Sequence, residues 1–519
     1  MSLLDDVSIV VTPNGYKAGE LYAVIPSSGA ADMDVTRATA ATRVDENGLV
    51  NYAEIIGSEE VEDGDFPLPN TNWALIQATI SNGDLNILTA DGSFAHAIQN
   101  GAVQSGKTYK YSLNIKSLSG NLGLIIGGVT NIFTTAGTKT GYLTSVGTSV
   151  EIKRAGGSLD AVIDNISVKE VTRDNVPRID YSGGGCPHIL AEPERKNIVI
   201  QSEVFSSWGN TDTTLTSGIS SPDGENNAYT LLSQVSGSDK ITIGLTLSLS
   251  TTYNASVFVK KEASDLATVK IYTAETGFFA VSFNFNTLAL TTIVGSTTNL
   301  KVQAYTDGWY RISYSFVTGA TSTSGGSIQL NRSNANEGAN YFGVQVVLGT
   351  YPTSYIPTSG STVTRNQDTF SRDGISSLIN SEEGVLFVEM AAFVKINPSG
   401  NITLTDGSGN NRIYIYYLVD NSISVIYNIN STGAVIHNFS LTDITQQNKI
   451  AVKWGNSNVS VYINGSSVLS TATSNFLPNT LNQLSFSKPS GSVPFEGKLK
   501  QLQVYKTALT DTQLAALTS

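Results

Sequence analysis

Along most of this chain apolar and polar residues alternate with a period of two, and the 3.6-residue period of a helix is nearly absent. A strand points successive side chains to opposite faces, so each such stretch buries one face and wets the other. The clearest are Tyr109 to Ile115, Ser256 to Val259, Phe279 to Phe285, Tyr310 to Phe316, Val385 to Phe393, Arg412 to Leu418, Ile423 to Ile429 and Val459 to Ile463. Turn residues lie between them, a pattern that predicts antiparallel sandwiches. One helix is expected at the end, where Thr510 or Asp511 caps a turn that carries Leu514 and Leu517 on one face. At 519 residues, and roughly 150 per domain, the chain should form three to four domains.

Two of these domains are copies of one unit. Thr108-Tyr109-Lys110-Tyr111-Ser112-Leu113-Asn114-Ile115-Lys116 aligns with Thr252-Tyr253-Asn254-Ala255-Ser256-Val257-Phe258-Val259-Lys260, 144 residues apart (252 against 108). Trp73 and Trp208 stand at the start of each copy, and Ile166-Ser167-Val168 and Val344-Gln345-Val346 read as their closing strands. With Asp164-Asn165 before the first closing strand and Asp307-Gly308-Trp309-Tyr310-Arg311-Ile312-Ser313 in the second copy, both resemble the jelly-roll carbohydrate-binding-module family. The first copy lacks a Gly-Trp-Tyr equivalent.

Around the first copy lie two blocks that read as one interrupted segment. Asp34-Val35-Thr36-Arg37-Ala38-Thr39-Ala40-Ala41-Thr42-Arg43-Val44 with Asn47-Gly48-Leu49-Val50 precedes it; Asn175-Val176-Pro177-Arg178-Ile179-Asp180-Tyr181 to Glu192-Pro193-Glu194-Arg195-Lys196-Asn197 follows. Together they resemble a connector of bacteriophage virion proteins in which the two blocks lie nearly side by side. The resemblance implies that residues near Val44 and Leu49 pack beside Val176 and Ile179, with a domain inserted between. Tyr351-Pro352-Thr353-Ser354-Tyr355-Ile356-Pro357-Thr358 then Val363-Thr364-Arg365-Asn366 resembles the exit segment of the same architecture, and its two prolines mark a boundary.

The last 150 or so residues resemble a concanavalin-type, laminin-G-like sandwich. The matching pieces are Val461-Tyr462-Ile463-Asn464-Gly465, with Asn-Gly at a hairpin turn, and Gly497 to Tyr505 leading into Ala508-Leu509-Thr510-Asp511-Thr512-Gln513-Leu514. The expected fold class is therefore all-β: multidomain antiparallel β-sandwiches, two jelly rolls plus one concanavalin/laminin-G-like sandwich, with little helix. The expected division is an N-terminal assembly arm (1–32), a connector in two halves (33–58 and 174–196), an inserted jelly roll (59–173), a second jelly roll (197–365) and the last sandwich (366–519).

Charge excludes some functions. Charged residues are 14% of the chain, against about 25% in ordinary domains, and the net charge is −12, which argues against a nucleic-acid partner. The longest charge run, Glu59-Glu60-Val61-Glu62-Asp63-Gly64-Asp65, reads as a solvated loop. Cys186 is the only cysteine, so neither an intrachain disulfide nor a cysteine metal cluster can form. His96, His188 and His437 are too widely spaced to suggest zinc. The start, Met1-Ser2-Leu3-Leu4-Asp5-Asp6, lacks the basic and apolar regions of an export signal, and no run of 18 apolar residues suggests membrane insertion.

A sugar is held by an aromatic platform flanked by amides or carboxylates. Trp208, Trp73 and Tyr416 are the candidates for glycan binding; each also reads as a core or interdomain residue. Trp309 and Trp454 read as sheet residues, and Tyr414 shares a face with Tyr416 while Tyr417 points the other way. No nucleophile elbow occurs, no carboxylate pair is placed on strands lining a cleft, and Cys186-Pro187-His188 after three glycines reads as a turn. No catalytic residue is assigned, and the chain is expected not to be an enzyme. No cofactor is expected, although the two sandwich families make structural calcium plausible at Asp63-Gly64-Asp65 or Asp223-Gly224-Glu225-Asn226-Asn227.

Taken together, the resemblances imply a virion protein, a head or tail fibre that attaches to host-surface glycan, homo-oligomeric as a trimer and in contact with other virion proteins. Two alternatives are a purely structural decoration protein and a polysaccharide-depolymerising tailspike.

Overall fold

The alternation becomes strands with the parity read from sequence. In the strand Thr108–Ile126, Tyr109, Tyr111, Leu113 and Ile115 are buried and the residues between them face outward. The structure is a computed structural model that describes residues 6–235, 239–322, 324–330, 337–395, 400–489 and 491–519. The chain divides into two compact units, one of residues Glu54–Arg173 and one made of the sequence on either side.

The inserted unit is a nine-stranded antiparallel sheet bent around two long paired strands, Thr108–Ile126 and Val150–Thr172. Register shifts near Leu113, Ile115 and Gly120 bend the pair, as bulges do, so that one sheet closes over its own core. Its first and last strands are neighbours, with Ile55 opposite Thr172. Residues 54–58, expected in the connector, are therefore part of this unit.

In the other unit, strands between Gly209 and Leu348 form two antiparallel sheets of six strands each, and Arg195–Asn197 pairs with Val363–Arg365 beside them. Tyr253, Val257, Ile271, Phe283, Ile312 and Tyr341 are among the side chains buried between them. The repeat is structural as well as sequential. The Tyr109 hydroxyl accepts a hydrogen bond from Gln104 N (2.8 Å), and the Tyr253 hydroxyl accepts one from Ser248 N (2.9 Å). In each sandwich the tyrosine thus satisfies a loop amide five residues upstream, which explains why the Thr-Tyr pair recurs.

The last sandwich is not confined to the end of the chain. Its sheet path takes in Val7–Lys17, Glu20–Ile25 and Met33–Thr36, which bridge its two halves. Val10 lies opposite Gln503, and Val35 opposite Phe370. Ile9, Val11, Leu21 and Met33 share one core with Val388, Ile415, Val452 and Leu502. The described part of the expected assembly arm is thus sheet, because its alternating apolar side chains close a core that the C-terminal strands leave open. Elsewhere the local signals hold. Asn464 and Gly465 take positive φ (46° and 84°) at a hairpin turn. Thr510 and Gln513 form a capping box on the helix Asp511–Thr518, where Leu514 is buried.

The connector blocks meet. The hairpin of Thr42–Val44 and Val50–Tyr52 is held by Asp45, whose carboxylate accepts from Asn47 N and Leu49 N (both 2.9 Å). Val44 N donates to Asp180 Oδ2 (2.9 Å), Tyr181 N to Val44 O (3.0 Å), and Arg43 to Ile179 O (3.2 Å). Leu49 turns away to Gly224 in the second sandwich. Behind this junction Arg37, Arg178 and Arg365 are fully buried with Asp368 and Glu192. Arg37 pairs with Asp368 (2.7 Å), Arg178 with Asp368 and with Glu192 (2.6 Å), and Arg365 with Glu192. The adjacent arginines hold both carboxyls, against the opposing effect of burial, down at about 2. Charges so enclosed are tolerated only as a network, and removing one member leaves its partners unpaired.

Candidate functional site

Three adjacent strands of the last sandwich, Asn401–Thr405, Arg412–Leu418 and Ser422–Ile429, pair without a shift from Thr405 opposite Arg412 to Leu418 opposite Ser422. Ile402, Leu404, Ile413, Ile415, Tyr417, Ile423 and Val425 enter the core. By the strand period, Asn401, Thr403, Arg412, Tyr414, Tyr416, Ser424 and Ile426 face the other way. Tyr416 is half-buried and stacks on Tyr414, with ring centroids 4.7 Å apart and planes at 19°.

The stack is fixed from beneath and beside. The Tyr414 hydroxyl bonds to Asn401 Oδ1, and the Arg412 guanidinium lies 5.5 Å from the Tyr414 ring centre. Burial, and then the neighbouring Tyr416, push the Tyr414 phenol above its ordinary pKa, so it stays a neutral donor. Asn401 Nδ2 and Thr403 Oγ1 are tied to the backbone carbonyls of Val493 and Ser487. Tyr416 is left as the ring of this stack that reaches solvent, while Asn401 and Ser424, opposite it on the flanking strands, are buried. No carboxylate stands on this face of the three strands.

The two tryptophan candidates are corrected. Trp73 and Trp208 are 4% and 5% exposed. Trp73 packs on Phe66 and donates Nε1–H to Asp63 O (3.1 Å); Trp208 packs on Phe205 and donates to Gln201 O (2.8 Å). A ring enclosed on both faces cannot stack on a sugar, and its polar edge is already used. Both are plugs of their own cores, in equivalent places. Trp309 and Trp454 are buried as well.

Other sequence candidates are dispersed. Cys186 is exposed, whereas His188 is buried 3.3 Å from Asp180, and burial lowers its pKa. Asp223 is consumed within its own loop by Ser221 (2.5 Å), Glu225 N (3.0 Å) and Asn227 (3.1 Å), and Asp63 accepts from Asn72 (2.7 Å). Among the described residues no group of three or more His, Cys, Asp or Glu side chains is placed to hold a metal. No helix among them is long and apolar enough to cross a membrane.

A second concave feature went unread in the sequence. At the junction of connector, second sandwich and last sandwich, a cleft is lined by Arg43, Asp180, Lys301, Tyr305, Arg311 and Lys498. It continues along Asn47, Tyr181, Ser182, Gly183 and Gln303. Its members come from segments up to 455 residues apart (43 against 498), so no local pattern could announce it.

Comparison with known proteins bears on the last sandwich. Residues 390–515 match a laminin G family model described as the Concanavalin A-like lectin/glucanases superfamily. No curated protein matches the chain. Among solved structures the chain is similar to domain 4 of a GH43 extracellular arabinanase from Geobacillus stearothermophilus in complex with arabinotriose, at 17% identity over 33% of this chain and 84% of that one, with a TM-score of 0.25. It is also similar to the native heptameric SAP-like pentraxin of Limulus polyphemus, at 15% identity over 27% and 71%, TM-score 0.24. A third is the N-terminal CBM22 tandem domain from Paenibacillus barcinonensis, at 12% identity over 56% and 98%, TM-score 0.20. The fold class is all-β with a concanavalin-like C-terminal sandwich. Nothing in these matches indicates a bacteriophage origin.

Proposed function

We propose that this chain is a non-catalytic glycan-binding protein that meets its saccharide on the Tyr416 face of the last sandwich. The observation that carries the reading is the partly exposed Tyr416 ring, stacked on a locked Tyr414. A sugar ring offers C–H groups on one face, which is the complement of an open aromatic ring. The lectin/glucanase description of the matching family supports a saccharide as the ligand class. Hydrolysis needs two facing carboxylates, and the face's own strands supply none, which favours binding over turnover.

A virion appendage as the setting, with trimeric assembly and attachment to host-surface glycan, rests on the resemblance carried by the connector residues 34–50 and 175–197 and the exit segment 351–366. Mass spectrometry of purified particles tests it, and absence of the protein from virions would refute it. The binding claim is tested on a glycan array followed by titration. Tyr416→Ala should weaken the selected glycan at least tenfold, about 1.4 kcal/mol, with an unchanged unfolding temperature. A blank array would leave a structural decoration protein, and release of sugar ends from a polysaccharide would make it a depolymerase.

A further inference from the structure

The cleft at the connector carries an imbalance of charge that folding alone does not explain. Lys301 extends from the strand Thr298–Ala304 into it, and its ammonium group has neither hydrogen bond nor ion pair among the described residues. Lys498, on the opposing strand Gly497–Tyr505, has only the Ser182 hydroxyl at 3.3 Å. Beneath them Arg311 is buried, its Nη atoms donating to Thr353 O (2.7 Å) and Ser256 Oγ (3.0 Å), so its charge is present without a counter-ion. Of the two carboxylates lining the cleft, Glu192 is claimed by Arg178 and Arg365. Asp180 is occupied by Val44 N, Ser182 N and His188. Lys301, Lys498 and Arg311 therefore converge on a space in which Asp180 is the one carboxylate not paired with an arginine, in a chain of net charge −12.

The walls suit a particular kind of anion. Lys301 is solvent-exposed yet crowded by protein, as a residue on a concave wall is, and crowding first, then Lys498 and Arg311, lower its pKa. Beyond the lysines the groove runs past Tyr305, Gln303 and Tyr181, with Asp45 held by the amides of its own turn and Glu46 lying 3.8 Å from Arg43. Gly183, Gly184 and Gly185 border it with left-handed backbone (φ 93°, 74° and 78°), and no atom stands within 4 Å of where a Cβ would be. An open border without side chains, hydroxyl and amide groups along the length, and a cationic pocket at one end fit an extended chain with a charged residue. A compact ion would use the pocket alone.

We propose that this groove binds an acidic saccharide and seats its carboxylate between Lys301 and Lys498. It extends the glycan-binding reading to a second surface and does not depend on Tyr416. The test titrates the full chain with a galacturonate oligomer, a neutral galactose oligomer of equal length, and inorganic phosphate. The galacturonate oligomer should bind at 50 mM salt and weaken as salt rises. Lys301→Gln and Lys498→Gln should each weaken it about tenfold, the value of one charge-assisted contact, and Tyr416→Ala should leave it unchanged. Lys301→Gln should also hold or raise the unfolding temperature of the ligand-free protein, since it removes repulsion. That result separates lost recognition from lost folding. Equal binding of the neutral oligomer, no effect of the double lysine variant, or phosphate competing as well as the oligomer would each overturn the proposal. Loss of galacturonate binding in Tyr416→Ala but not in the lysine variants would return all recognition to the first face.

Discussion

The sandwiches 54–173 and 197–365 were built on one plan and put to different uses. Each keeps a buried tryptophan against a phenylalanine, and each has a tyrosine hydroxyl that holds the loop amide five residues before it. The first forms a compact unit by itself; the second shares a unit with the connector and the last sandwich. The second carries the extra ties. The Thr42 hydroxyl donates to Tyr355 O, and Ser354 joins Arg178 and Glu192 in the buried charge network. What the pair teaches is that the frame is set by the core, whereas attachment and the cationic cleft come from residues such as Arg311 and Ser354 placed at the edges of that frame.

The comparison breaks most visibly on excision. Replacing residues 54–173 with a short Gly-Ser linker should leave the unfolding temperature of the remaining unit within a few degrees, because Ile55 and Thr172 are paired and the gap is narrow. Removing 197–365 in the same way should give a chain without a cooperative transition by circular dichroism. It deletes Arg365 and Ser354 from the charge network, and exposing such a network costs about 3–5 kcal/mol.

A pH difference should come next in size. Burial, and then Asp223, raise Glu203 to about 7, and Tyr355 donates to it at 3.1 Å. A carboxyl raised in the folded state binds its proton more tightly there than when unfolded. Its contribution is therefore full below the ordinary pKa of 4.5 and is lost as pH rises from there to about 7. Leu68, exposed, stands 135 positions before it, the spacing of the two tryptophans. Stability of the full chain should fall by on the order of 2 kcal/mol across that window, and Glu203→Gln should flatten the curve. An equal fall in Glu203→Gln would refute the assignment.

The smallest effect is the most direct measure of kinship. Tyr109→Phe and Tyr253→Phe each strand one loop amide and should each cost about 1 kcal/mol in denaturant unfolding. Costs differing by more than twofold would mean that the two hydroxyls do different work.

What the sequence disclosed follows from the range of the interactions. Strand parity, the Asn464-Gly465 turn and the Thr510 cap depend on neighbours, and all three were read from sequence. Parity also placed Tyr414 and Tyr416 on one face and Tyr417 on the other, as found. The tryptophans misled because their burial is decided by Phe66 and Phe205 folding over them, and an isolated indole looks alike as platform or plug. Val7–Lys17 and the Lys301–Lys498 cleft stayed hidden for another reason. Their partners are hundreds of residues away, and alternation says that a strand forms without saying beside which other.

The bond from Ser8 Oγ to Val504 O spans 496 positions and sets an order of events in the cell. At ribosomal speeds of about 5–20 residues per second, roughly half a minute or more separates the emergence of these two strands. Both inserted sandwiches emerge whole in that interval, while Ile9, Val11 and Leu21 wait for the strand Gly497–Tyr505. This apolar segment is thus left uncovered until the strand Gly497–Tyr505 arrives, and a nascent chain stalled before residue 497 would present it to chaperones.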